Sequence, residues 1–144
     1  MSVKEFVLKK LEENRGIPLS GEAIANSLSV SRAAVWKAVR ALEAEGYHIE
    51  AVPNQGYTLC TDNDLLSTQG ILPYLTPPLK SREIRVFPCL PSTNQEAKRM
   101  ALESAEQGSA VLAEEQSAGR GRLGRSFFSP RGNGLYMSVI LRPK

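Results

Sequence analysis

The stretch SGEAIANSLSVSRAAVWKAVRALEAEGYHIEAVPNQGYTL, Ser20–Leu59, decides the fold of the first half of the chain. Ser20 precedes a short apolar-periodic run, Ile24, Ala25 and Leu28, which predicts an N-capped helix. Ser29-Val30-Ser31 interrupts it. Val35, Ala38, Val39 and Leu42 then recur along Arg32–Gly46, a longer amphipathic helix that Gly46 ends. At roughly 100° per residue its opposite face centres on Ala33, Trp36, Lys37 and Arg40, with Arg32 at the edge. A short helix, a tight turn and a longer helix with a small, basic outward face have the spacing of a helix-turn-helix. Tyr47–Val52 and Gly56–Leu59 flank Pro53-Asn54-Gln55 and predict a β-hairpin. Helices followed by a hairpin give a winged helix with Asn54 and Gln55 at the wing tip. A plain three-helix bundle fits the same pattern, and Trp36 fits either the core or a DNA-reading face. Ser29 stands where such turns usually place Gly, which costs strain if the turn needs positive φ.

Working outward, Val3, Phe6, Val7 and Leu11 predict a first helix over Ser2–Asn14, stopped near Gly16 and Pro18. Up to Asp64 the chain carries seven basic and nine acidic residues, a net of −2; the remainder carries eleven and six, a net of +5. That asymmetry, with the polar Thr61-Asp62-Asn63-Asp64 between, predicts a winged-helix domain over 1–63, a linker and the start of a second domain over 64–82, and the main part of that domain over 83–144. With 144 residues, 42% hydrophobic and 23% charged, the composition is that of an ordinary globular chain. Its longest apolar runs fall well short of the roughly 18 residues of a membrane helix, and Met1 is followed by Lys4, Glu5, Lys9 and Lys10 without a signal core. A cytoplasmic protein without membrane contact is expected. His48 is the single histidine, and Cys60 and Cys89 form no CxxC, so spacing suggests neither a disulfide framework nor a protein-ligated metal and disfavours histidine-based nucleophilic catalysis.

The second half follows a connector punctuated by Pro73, Pro77 and Pro78. Ile84, Val86 and Phe87 predict a strand. Ser92 with Gln95 and Thr93 with Glu96 both have capping-box spacing ahead of a helix from about Asn94 to Gln107. The free N–H groups of that helix end suit a polar ligand, although a cap alone explains them too. Ala110–Ala113 predicts a short buried strand leading to Gln116. Gly119-Arg120-Gly121-Arg122-Leu123-Gly124-Arg125 lets backbone fold close to a ligand while the guanidinium forks pair with phosphate or carboxylate oxygens. It is neither a Walker A loop nor a Rossmann fingerprint. A basic RNA-binding tether would also be built this way, though Leu123, Phe127 and Phe128 argue against a disordered tail. Gly132-Asn133-Gly134 predicts a turn, and Leu135–Leu141 a strand buried on both faces or nearly so. The class is α+β.

The Ser20–Leu59 run, above all SRAAVWK and a hairpin ending in GY, resembles the amino-terminal winged helix of bacterial biotin protein ligases of the bifunctional repressor type. STNQ opening a helix, then AEEQSAGRGRLGRSFFSP and GNGLYMSVILRP, resemble the start of the same family's catalytic domain, a class II synthetase-like mixed sheet. The resemblance implies formation of biotinyl-5′-adenylate from biotin and ATP, with Mg²⁺ accompanying ATP. It also implies transfer of biotin to a lysine of the biotin carboxyl carrier protein of acetyl-CoA carboxylase. It further implies repression at the double-stranded biotin operator, with the adenylate as corepressor. Carried over by motif, Ser92, Thr93, Asn94 and Gln116 would hold biotin, and Arg120, Gly121 and Arg122 would surround its carboxylate and the adenylate phosphate, the two arginines being the catalytic pair. Ser31, Arg32, Ala33, Trp36, Lys37, Arg40, Asn54 and Gln55 would face DNA.

The family's catalytic domain continues into further strands, a KWPND-like motif and a small carboxy-terminal domain, so the expectation is a truncated member with a weakly stable second segment. Family members dimerise partly through that sheet, and a homodimer is among the expected assemblies. Two other readings stay open on the residues: a DNA-binding regulator with a non-catalytic ligand segment, and an RNA-associated basic protein.

Overall fold

A computed structural model describes residues Met1–Lys144, which form two compact units, Met1–Pro73 and Tyr74–Lys144. No helix is long and apolar enough to cross a membrane.

The first unit contains α1 (Val3–Glu12), α2 (Gly21–Leu28), α3 (Arg32–Ala44), β1 (Ile49–Val52), β2 (Gly56–Leu59) and α4 (Thr68–Ile71). Serines start the first three helices. Ser2 forms a full capping box with Glu5, Ser20 accepts from the Ala23 amide, and Ser31 accepts from the Ala34 amide. Val7, Leu11, Val35, Val39, Leu42 and Leu59 are fully buried between the helices and the hairpin, each worth ~1.5–3 kcal/mol against exposure. Trp36 is not among them: it is half exposed on the outer face of α3, with the Arg40 guanidinium 5.5 Å from its ring centroid. The bundle and the winged helix are separated by β1 and β2, an antiparallel pair whose register sets Ile49 opposite Leu59 and Val52 opposite Gly56.

A third element joins that hairpin. Leu19 and Tyr57 exchange both backbone hydrogen bonds, at 2.9 and 2.8 Å, immediately before α2. Gly56 permits this, because its φ is +110° and a Cβ there would lie 2.0 Å from the Leu19 carbonyl oxygen. The segment after the wing also belongs to this unit. Glu12 is buried and receives the Arg15 guanidinium at 2.6 and 3.1 Å, while Arg15 also donates to the Asn63 carbonyl at 2.7 Å. Leu65 packs on the core and α4 lies against α1, so residues 64–73, polar and linker-like by composition, fold back onto the helices.

The second unit holds α5 (Pro77–Lys80), β3 (Ile84–Phe87), α6 (Thr93–Leu102), β4 (Ala110–Ala113) and β5 (Tyr136–Val139). The sheet order is β3-β4-β5, parallel between β3 and β4 and antiparallel between β4 and β5. This is a mixed sheet, and α6 covers it by packing on β4 and β5 through Ala97 and Met100.

Three local expectations fail for identifiable reasons. Helix α6 ends at Leu102, short of Gln107, because Ser104 takes φ +71° and the Ala105 amide returns to the Met100 carbonyl at 3.0 Å, closing the helix. Neither capping box at its start forms: Ser92 makes no side-chain cap bond, and Glu96 turns to Arg85 and Arg99. Strand β5 is not buried on both faces. Tyr136 and Ser138 face inward while Met137 and Val139 are exposed, because α6 covers only one side of this strand.

The turn between α2 and α3 does carry the strain its sequence implies, with Ser29 left-handed at φ 53°, ψ 42°. Ser29→Gly removes it against the added entropy of an unfolded glycine. It is expected to stabilise the first unit by ~0.5–1 kcal/mol, read as a higher urea midpoint at unchanged m; an unchanged or lower midpoint contradicts the strain.

Candidate functional site

In the second unit the candidate site grows from one side chain. Gln116 follows β4 and is fixed by backbone on both sides: Leu90 donates to the Glu115 carbonyl at 3.2 Å and accepts from Ser117 at 3.0 Å, while the Gln116 amide donates to the Ser129 carbonyl at 3.0 Å. Its Oε1 then accepts from the Thr93 backbone amide at 2.8 Å and from the Thr93 hydroxyl at 3.2 Å. Its Nε2 donates to Ser129 Oγ at 3.0 Å, and that hydroxyl donates to the Phe127 carbonyl at 3.1 Å. The first amide of α6 is therefore capped by Gln116.

Ser138, projecting inward from β5, extends the network. Its hydroxyl donates to Asn94 Oδ1 at 2.6 Å and lies 2.9 Å from Thr93 Oγ1. Thr93, Asn94 and Gln116 thus lie together, and Ser92 adjoins them, buried, at the N-cap. Ser129 and Ser138 were not singled out from sequence. The available signal for Ser138 is a small hydroxyl residue two positions from Tyr136 within the apolar Leu135–Leu141 run; Ser129 offers none. All six polar side chains gather around the start of α6, an arrangement that presents alternating donors and acceptors.

The glycine-arginine segment is a tight hairpin. Arg120 pairs with Ser126, the Gly121 amide donates to the Arg125 carbonyl at 2.7 Å, and the Phe127 amide donates to the Gly119 carbonyl at 2.8 Å. Gly119 is buried at its base, where a Cβ would meet the Phe127 carbonyl oxygen at 2.4 Å and Ser129 Oγ at 2.6 Å. The same Ser129 hydroxyl therefore touches both Gln116 and the hairpin base, linking the polar network to the arginines.

The charges of this unit divide cleanly. Arg85 pairs with Glu83 and shares Glu96 and Glu103 with Arg99, Arg82 pairs with Glu106, Arg131 with Glu114, and Arg142 donates to the Ala101 and Ala105 carbonyls. The Arg99 guanidinium beside Glu96 holds that carboxyl below its usual range, against some desolvation, with Arg85 adding to the effect. Arg120, Arg122 and Arg125 are exposed and make no ion pair. Three unneutralised guanidinium groups on one hairpin form an anion-attracting surface.

In the first unit, Arg32, Ala33, Trp36, Lys37 and Arg40 are all exposed along α3, and Ser31 caps that helix. Lys37 and Arg32 carry no ion pair, while Arg40 bonds Glu43 at 2.9 Å. Arg32 also lines a cleft with Pro53, Asn54 and Gln55, so the start of α3 and the wing tip open onto one surface.

Comparison with known proteins agrees with both halves. The HTH domain family matches residues 3–58, and the biotin/lipoate A/B protein ligase family matches residues 86–144. The bifunctional ligase/repressor BirA of Bacillus subtilis (strain 168) is 40% identical over 125 residues, covering 87% of this chain and 38% of that protein. The BirA of Escherichia coli (strain K12) is 39% identical over 123 residues, covering 85% and 37%. The chain thus spans well under half the length of these relatives. A biotin protein ligase from Leishmania major, solved in complex with biotinyl-5-AMP, aligns at 38% identity and a TM-score of 0.37, over 45% of this chain and 24% of that one. By sequence, the chain matches the bifunctional ligase/repressor BirA family over its helix-turn-helix region and part of its catalytic domain.

Proposed function

We propose that this chain belongs to a cytoplasmic biotin protein ligase that activates biotin with ATP, transfers it to a lysine of the biotin carboxyl carrier protein, and represses biotin genes through its winged helix. What supports the ligase assignment is the unneutralised Arg120, Arg122 and Arg125 hairpin anchored, through Gly119 and Ser129, to the Thr93–Asn94–Gln116–Ser138 network.

Activation joins two anions. The biotin carboxylate oxygen attacks the α-phosphorus of ATP, a new P–O bond forms, and pyrophosphate leaves. Arg120 and Arg122 act as the catalytic pair by offsetting the repulsion and stabilising charge developing on the α-phosphate. Gly121 brings backbone close to that oxygen. Ser92, Thr93, Asn94 and Gln116 orient the biotin ring system by hydrogen bonds, in a segment that shares the class II synthetase-like design. Mg²⁺ accompanying ATP would supply further charge neutralisation of the phosphates. In the second step the neutral carrier lysine amine attacks the acyl carbon, an amide bond forms, AMP departs with the electron pair of the broken C–O bond, and the amine's surplus proton passes to solvent.

On the DNA side, Ser31, Arg32, Ala33, Trp36, Lys37 and Arg40 face the major groove of the operator, and Asn54 and Gln55 approach from the wing. The short Ala33 side chain lets the backbone near base edges, while the Lys37 ammonium takes a phosphate. The assigned divisions are residues 1–63 for DNA and 83–144 for the ligand, with 64–82 between them, of which 64–73 pack with the first unit and 74–82 with the second.

Incubating the chain with biotin, ATP and Mg²⁺ is expected to yield biotinyl-5′-adenylate by mass spectrometry, and Arg122→Ala to abolish it. No product from a folded chain that still binds operator DNA favours a regulator without catalysis. In equilibrium binding, Arg122→Ala should weaken the adenylate by about 10- to 100-fold and biotin much less; equal losses reject a phosphate contact. Lys37→Ala should weaken operator binding evenly across sequences and lower the log–log salt slope by about one, whereas an unchanged slope removes Lys37 from the phosphate contacts.

A further inference from the structure

We propose that the root of the wing is a binding site for a borderline transition metal ion such as Zn²⁺, ligated by His48, Glu50 and Cys60. The hairpin register creates it. With Ile49 opposite Leu59 and Glu50 opposite Thr58, the next rung sets His48 opposite Cys60, and the Cys60 amide donates to the His48 carbonyl at 3.0 Å. Residues two apart on a strand share a face, so Glu50 projects on the same side as His48. One imidazole nitrogen, one carboxylate oxygen and the Cys60 sulfur all lie within 4.8 Å of one another. Tetrahedral coordination at zinc distances needs ligand atoms roughly 3.3–3.8 Å apart. The gap is on the order of 1 Å, within reach of side-chain torsions where His48 and Glu50 are exposed and Cys60 is half-buried.

The chemistry and the charge agree with that geometry. Imidazole, thiolate and carboxylate together select zinc or cobalt and disfavour the all-oxygen cations Mg²⁺ and Ca²⁺. Glu50 makes no ion pair with any lysine or arginine, and the ion-pair partner of Asp62 is His48, at 3.2 Å from Nδ1. A carboxylate against a ligating imidazole is the usual outer partner that fixes ring orientation, so Asp62 is a positioning residue for the metal. Metal entry displaces the Cys60 thiol proton to solvent as the Cys60–metal bond forms. The sequence hides this site because no two of its ligands have zinc-motif spacing; only strand pairing unites them. Its place is the end of the hairpin away from Asn54 and Gln55, so a bound ion would fasten two strands of four residues each without covering the wing tip.

The test is a titration of the reduced full chain with Co²⁺ as the optical stand-in. The expected result is saturation at one ion per chain, with thiolate-to-cobalt charge transfer in the near ultraviolet and tetrahedral d–d bands, both displaced by Zn²⁺. Cys60→Ser should abolish the charge-transfer band and Cys89→Ser leave it intact. His48→Ala and Glu50→Gln should each weaken Co²⁺ by tenfold or more, and Asp62→Asn less, with the band retained. Zn²⁺ at 100-fold over its Kd should raise the first thermal transition by roughly 10–20 °C in the parent chain and not in Cys60→Ser. Far-ultraviolet circular dichroism identifies variants that remain folded. A band that survives Cys60→Ser, one that vanishes in Cys89→Ser, or no saturable binding at micromolar metal by a folded parent chain overturns the proposal.

Discussion

The Gln116 carboxamide is the junction on which the second unit depends. A primary amide offers acceptors at one end and donors at the other, and here each end meets a different part of the fold: Oε1 takes the Thr93 amide and hydroxyl, and Nε2 reaches Ser129. One side chain therefore caps α6, ties β4's exit to that helix and braces the base of the glycine-arginine hairpin. Glutamate could not donate to Ser129, and leucine would leave the Thr93 amide, in a residue only 4% exposed, without a partner. Such an orphan costs on the order of 1–3 kcal/mol, which is large beside the stability of a unit this small.

That constraint shapes the chemistry available. Because Gln116 already satisfies the helix end, anion attraction in this unit falls to the arginine hairpin, whose three guanidinium groups no carboxylate neutralises. The other arginines of the unit are consumed holding α6, its neighbouring strands and the turn after Ala105. Structural and ligand-directed charge are thus separated in space, so a ligand can engage the hairpin without dismantling the ion pairs that position the helix. Gly119 makes the separation possible by letting two backbones approach where any Cβ would clash.

An analogous close approach governs the first unit. The Leu19–Tyr57 bridge turns a two-stranded wing into a wing anchored ahead of α2, and it exists because Gly56 lacks a Cβ. Anchoring both ends of α2, by that bridge and by the left-handed Ser29, presents α3 and the wing tip on one surface. The buried Glu12–Arg15 pair extends the unit past the wing, since Arg15 grips the Asn63 carbonyl and polar residues that read as linker pack against α1. Charge on a segment does not reveal whether it is solvated or paired, which is why composition placed the division earlier than packing does.

Local features of the chain were decided by its own sequence. Serine caps, apolar periodicity at 3.6 and 2 residues, and turn glycines fix α1, α2, α3, the hairpin and β4 because those preferences act over a few neighbouring residues. The strain at Ser29 and the grouping of Ser92, Thr93 and Asn94 at a helix start were legible for the same reason. Tertiary structure decided what depends on partners distant in sequence. It left Trp36 outside the core, drew Glu96 away from capping to Arg85, set Ser138 against Asn94, exposed one face of β5 and brought His48, Glu50 and Cys60 into one cluster. A polar side chain has several partners of nearly equal energy along the chain, and only the packed fold determines which of them lies within hydrogen-bonding distance.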